Sequence, residues 1–102
     1  MHPSLEDNLP ELQILCRRHG VARLAVFGSA TSGSFDPNTS DYDFLVEFLP
    51  LPAGSRADAY FALLEDLQQL LKRPVDLIVS SAITNPFFKK SVKASEQQLY
   101  AA

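Results

Sequence analysis

Two aspartates one residue apart, Asp41 and Asp43, lead the apolar run YDFLVEF, and a third, Asp76, sits inside PVDLIV. Gly28-Ser29 closes an earlier apolar run, ARLAVF. Aspartate is a poor strand former, and a buried carboxylate is costly unless it is paired or bound to a cation. Three such placements work against a fold unless a ligand offsets them. An all-carboxylate oxygen set suits magnesium or manganese, which keep waters and complete their shells with substrate phosphates. Gly28 lets backbone approach a ligand. Ser29 is expected to begin a short helix, residues 29–33, whose N–H groups and positive end face an anion. Carboxylates for metal beside a cradle for phosphate are the parts of two-metal phosphoryl or nucleotidyl transfer. Singly, each has a plain structural role: Asp41 after Ser40 closes a turn, and Gly-Ser after a strand is ordinary turn chemistry. The combination is what points to a site.

The elements that must position these residues follow from pattern. Residues 8–18 read as a helix, with Asn8 and Glu11 as a capping pair and Pro10 in the first turn. Leu9, Leu12, Leu15 and Cys16 form its apolar face, and Gly20 its stop. Strands are expected at 22–27, 42–48 and 74–79. GSFDPNTS, 33–40, is a loop rich in turn formers, and LPLPAGS, 49–55, is a linker. Ser55 and Asp58 are expected to cap a helix over 56–72, with Tyr60, Leu63, Leu64, Leu67, Leu70 and Leu71 as its apolar stripe. Asn85-Pro86 opens a last helix to about Ala94, and QLY, 98–100, adds a short edge strand.

The order is α-β-(α)-β-α-β-α, an α/β (α+β) chain with a small mixed sheet of three to four strands flanked by helices. Helix 56–72 is long enough for a parallel crossover, whereas the 27–42 connection suits antiparallel neighbours. That topology brings Gly28-Ser29, Asp41, Asp43 and Asp76 to one edge of the sheet. Asp41 and Asp43, at i and i+2, project side by side.

Composition excludes several classes. The chain has 102 residues, 46% of them apolar, which predicts one domain over 1–102. Its formal net charge is -3, and the basic residues come in pairs (Arg17-Arg18, Lys72-Arg73, Lys89-Lys90) that read as solvated helix ends. No basic stripe for duplex nucleic acid is present. No run reaches the length of a membrane span, and the first twenty residues lack a signal-type apolar block, so a cytoplasmic protein is expected. Cys16 reads as a core residue, and His2 and His19 have no partners at zinc-ligand spacing. Phe35 is a loop aromatic able to stack on a base, and Phe87 and Phe88 in NPFFKK are candidates for a partner surface.

Gly-Ser, a loop, Asp-x-Asp leading an apolar strand, then Asp in a Val-Asp-Leu-Ile strand resembles the DNA polymerase beta-like nucleotidyltransferase superfamily. Over residues 8–100 the chain looks like its minimal nucleotidyltransferase (MNT) branch, often paired with HEPN-domain proteins. The resemblance implies a palm-like core in which Gly28 and Ser29 hold nucleotide phosphates and Asp41 and Asp43 bind two Mg²⁺ ions, with Mn²⁺ as a substitute. Asp76 completes the metal site nearer the attacking hydroxyl. The family's frequent GSRARG stretch stands here as GSATSG. Gly33 is kept, but Ser32 replaces a common arginine, so Lys or Arg from elsewhere must compensate. The implied reaction transfers AMP from ATP onto a tyrosine hydroxyl of a HEPN ribonuclease toxin, in a hetero-oligomer, making this chain its antitoxin. The competing implications are a non-catalytic antitoxin or regulatory subunit that blocks its partner sterically, and a subunit of a drug-modifying nucleotidyltransferase.

Overall fold

The computed structural model describes residues 3–28, 41–52 and 54–102. Within them the order is α1 (Pro3–Asp7), α2 (Leu9–Arg18), β1 (Val21–Phe27), β2 (Tyr42–Phe48), α3 (Ser55–Leu71), β3 (Val75–Val79), a 3₁₀ turn (Ser80–Ala82), α4 (Pro86–Ser95) and β4 (Gln97–Ala101). The strands form one mixed sheet in the order β3-β2-β1-β4. β1 pairs antiparallel with both β2 and β4, and β2 pairs parallel with β3. The parallel pair needs a crossover, and α3 supplies it.

Alternation in the strands gives the sheet two unequal faces. Tyr42, Phe44 and Val46 of β2, Leu24 and Val26 of β1, and Leu77 of β3 join the main core with Leu12 and Cys16 of α2 and Leu63, Leu67 and Leu71 of α3. The opposite face is thinner. There Ala25, Phe27 and Leu45 pack beneath Val92 of α4, with Ile78 and Ile83 beside them. β1 contributes buried residues to both faces, as its uninterrupted apolar end requires. Burial pushes the Cys16 thiol up to about 12, so it is a core residue and not a nucleophile.

Several local expectations need correction. Residues before Asn8 form an additional short helix, α1, and its Leu5 is fully buried. Asn8 occupies the N-cap of α2, but its side chain makes no capping bond. The chain enters from α1 with Asn8 at φ -101° and ψ 5°, outside the extended conformation usual for a cap, and Pro10 lacks one of the two N–H groups that a cap serves. α3 begins one residue earlier than expected, with Gly54 in its cap position at φ 85° and Ser55 inside the helix. A left-handed entry at a glycine replaces the Ser-Asp cap. Asn85 does cap α4, accepting from the N–H groups of Phe87 and Phe88 at 2.9 and 3.2 Å. β4 is the edge strand expected from QLY.

Leu67 is fully buried between α3 and the sheet, whereas Phe61 on the same helix is 65% exposed. Leu67→Ala is expected to cost about 2–5 kcal/mol in urea unfolding, and Phe61→Ala less than about 0.5 kcal/mol. Similar costs for both would contradict this division of the helix.

Candidate active site

The strand register sets the site. Phe27 lies opposite Asp43 across the antiparallel pair, and Asp43 lies beside Asp76 across the parallel pair. Both aspartates project to the thin face, because Tyr42, Phe44, Val75 and Leu77 on either side of them turn to the main core. Asp41 directly precedes β2, whose first N–H, that of Tyr42, donates to Pro74 O at 3.2 Å. Asp43 is half-buried, while Asp41 and Asp76 are exposed. The exposure of Asp76 corrects the expectation that an aspartate among apolar residues would be buried. β3 is the outer strand, and its thin face is open beyond the cover of α4.

Asp43 has its carboxyl pKa raised above the usual value, first by burial and then by the negative charges of Asp76 and Asp41. Asp43 is therefore within electrostatic reach of both Asp76 and Asp41 in the folded chain. Among the described residues no three His, Cys, Asp or Glu side chains are already arranged to hold a metal ion. Magnesium does not require that, since it commonly takes one or two protein carboxylates and fills its shell from water and phosphate. A hard-oxygen donor set whose members repel one another in the absence of a cation fits such an ion.

Gly28 follows β1 with φ at 74°. A Cβ placed there would stand 2.7 Å from Asp43 Oδ2. Glycine is thus required twice, by conformation and by the space that the carboxylate occupies. The Gly28 N–H donates to Ser95 Oγ at the end of α4, at 3.4 Å. Ser29, the other expected phosphate-binding residue, lies outside the described residues, as do Ser32, Gly33, Phe35 and the expected 29–33 helix.

Sequence reasoning missed Ser95, because nothing in a helix C-terminus signals a contact to a turn 67 positions away. It also missed the use of His19, whose Nε2 lies 2.6 Å from Asp66 Oδ2 and ties the end of α2 to α3. A cavity of about 390 Å³ lies on the thin face, but at the end of the sheet away from the carboxylates, between Arg23, Glu47 and Lys93.

The family described as "Nucleotidyltransferase domain" matches residues 12–98. The chain belongs to this family. This is the nucleotidyltransferase family that the Gly-Ser and three-aspartate pattern implied. It is 37% identical over 81 residues to a protein of Methanocaldococcus jannaschii named "Putative protein adenylyltransferase MJ0128", covering 79% of each chain. A solved structure described as a "putative minimal nucleotidyltransferase" superposes with a TM-score of 0.77 at 28% identity, covering 95% of both chains. The tri-AMPylated Shewanella oneidensis HEPN toxin in complex with MNT antitoxin gives a TM-score of 0.65 at 20% identity, covering 95% of this chain and 72% of that one. At that identity the likeness is one of fold. Among the described residues no helix is long and apolar enough to cross a membrane.

Two outcomes follow from this geometry. A carboxyl whose native pKa is raised favours the folded state while protonated, and that benefit is lost as pH rises through the raised value. Metal-free Asp43→Asn should therefore melt above the parent at neutral pH. The gap should close as pH falls below 3.8, the ordinary value of the group. A gap that widens toward acid would refute the charge conflict. Gly28→Ala should lower stability by about 1 kcal/mol or more, from the left-handed φ and the clash with Asp43 together. Calorimetry at one pH measures it against Gly54→Ala, which shares the positive φ but meets open space.

Proposed function

We propose that this chain transfers AMP from ATP to a hydroxyl on a partner protein, a tyrosine of a HEPN-type ribonuclease toxin, and so acts as its antitoxin. The observation that carries the reading is the in-register pairing of Asp43 with Asp76, with Asp41 acting on Asp43, in a nucleotidyltransferase domain. The name of the archaeal relative supports AMP as the group transferred, and the fold shared with an antitoxin seated on an AMPylated toxin supports the partner class. Residues 1–102 act in this reading as one minimal nucleotidyltransferase domain, working in the cytoplasm within a hetero-oligomer.

Asp41, Asp43 and Asp76 are the residues that would hold two magnesium ions. Bound there, the ions supply charge neutralisation at the phosphoryl oxygens and a lowered pKa for the acceptor hydroxyl. The chain's own work is positioning. Gly28 keeps the β1 turn free of side-chain bulk, so that a phosphate can come against main chain. Ser29 contributes its N–H and hydroxyl to the same phosphates. Asp76, exposed on an edge strand, takes the acceptor side in this reading and steadies the hydroxyl as its proton leaves. The acceptor oxygen bonds to the α-phosphorus, and the bond to pyrophosphate breaks on the opposite side. On the toxin, the added nucleotide brings a phosphodiester charge and bulk that block RNA entry.

Intact-mass analysis of the co-expressed toxin after incubation with this chain, ATP and Mg²⁺ should show the addition of AMP. Asp43→Asn should abolish the addition and leave the fold intact. A toxin whose mass never changes, yet which Asp43→Asn still neutralises, would make this chain a steric antitoxin. Mg²⁺ and ATP together should raise the melting temperature by more than the sum of their separate shifts, because each completes the other's site. Simple additivity would count against a jointly held metal.

A further inference from the structure

α4 is tied to the thin face by one side of its surface. Phe88 sets its ring edge-on to Phe27, with centroids 6.1 Å apart. Val92, one turn on, is buried against Ala25 and Leu45. Ser95 accepts from the Gly28 N–H. One flank of the helix, with Lys89, Lys93 and Glu96, lines the cavity it shares with Arg23, Glu47 and Ser80. Those three lie at the far end of the sheet, where β1 begins and β2 and β3 finish. At 100° per residue the opposite flank carries Phe87 and Ser91. That flank looks toward the end of the sheet where Gly28, Asp43 and Asp76 meet.

Phe87 is 83% exposed, more than any other large apolar side chain among the described residues. Its ring stacks on no other described aromatic ring, whereas Phe88 is turned onto Phe27. Its backbone is held by the Asn85 cap, so the ring is presented from a fixed helix start. We propose that Phe87 is the surface on which the base of the bound nucleotide stacks. The proposal rests on the reading of the carboxylate end as the nucleotide site.

The size of the patch favours a base over a protein. Specific protein docking buries roughly 800 Å² per partner, but Phe87 is a single ring among Lys90, Ser91 and Ala94. Of the other exposed large apolar side chains, Ile14, Leu49 and Phe61 belong to other elements, and Phe88, 40% exposed beside Phe87 on α4, is turned onto Phe27. One ring matches one base, and base–aromatic stacking is tolerant of base identity because every base has a π-face. Lys90, one helical turn further on at the outer surface, adds positive charge beside the ring.

The test compares Mg²⁺-ATP with Mg²⁺-tripolyphosphate, which has phosphates and no base, by titration calorimetry on the full chain. Phe87→Ala should weaken ATP on the order of ten-fold and leave tripolyphosphate unchanged. The chain has no tryptophan, so Phe87→Trp places one reporter in it. Its fluorescence should be quenched by ATP and not by tripolyphosphate, with ATP affinity retained. Unchanged ATP affinity in Phe87→Ala would overturn the proposal. So would a loss confined to Phe35→Ala, which would put the base on the loop, or a Phe87→Ala effect confined to the KM for the acceptor protein, which would make Phe87 a protein contact. A wild-type chain that binds neither ligand would instead remove the nucleotide site itself.

Discussion

The pairing of β2 with β3 is the constraint on which the site depends. Because side chains alternate along a strand, a slip of one residue would turn Asp43 or Asp76 into the main core and a leucine or phenylalanine out of it. Three contacts hold the register. Tyr42 N–H donates to Pro74 O, Tyr60 of α3 donates its hydroxyl to Leu77 O, and Gln68 of α3 accepts from the Val75 N–H. The crossover helix thus does more than connect two parallel strands. It grips the outer strand at two points and holds Asp76 level with Asp43.

The same register creates a charge conflict that the fold tolerates for lack of alternatives on that face. Asp43 sits where burial and two like charges oppose its ionisation. The main core offers it no outlet, and Gly28 leaves it only the space that a Cβ would fill. In the proposed reading a cation would resolve the conflict from outside the chain, and the carboxylates would then serve a ligand and not the fold. The thinness of the second face matters here. A second full helical layer would desolvate the carboxylates further and close the approach of a phosphate.

Much of this was legible in sequence, and the reason is periodicity. YDFLVEF alternates except at Leu45, with Tyr42, Phe44 and Val46 for the core and Asp43 and Glu47 on the other face beside the apolar Leu45, so both the strand and the facing of its aspartate could be read. The convergence of Gly28, Asp43 and Asp76 followed from connection lengths alone. Caps were read less well. Asn8 and Ser55 carry the right chemistry for a cap, but whether a side chain reaches an N–H depends on the angle at which the chain arrives, and that angle is set by neighbours such as α1 and Gly54. Asp76 was misjudged in burial because an apolar run says which face is packed and not whether the strand is an outer one. Contacts such as Ser95 to Gly28 and His19 to Asp66 join polar residues far apart in sequence, where no pattern marks them.

Arg23 bears on where the proposed nucleotide site could draw positive charge. Its guanidinium donates to Glu96 at 2.6 Å, Gln98 at 3.0 Å and Glu47 at 3.4 Å, at the end of the sheet opposite the aspartates. Those bonds tie β1 to β4 and to β2, so this arginine is committed to holding three strands together. It cannot stand in for the arginine that Ser32 replaces. The cations not so committed and nearest the thin face are the lysines of α4, a helix with Lys89, Lys90 and Lys93 and no acidic residue, in a chain whose net charge is -3. Of the three, Lys89 and Lys93 line the cavity beside Arg23, and Lys90 stands on the outer surface next to Phe87. The helix that closes the thin face therefore also concentrates positive charge there, and its placement over β1 keeps that charge clear of the carboxylates while leaving it on the same side of the sheet.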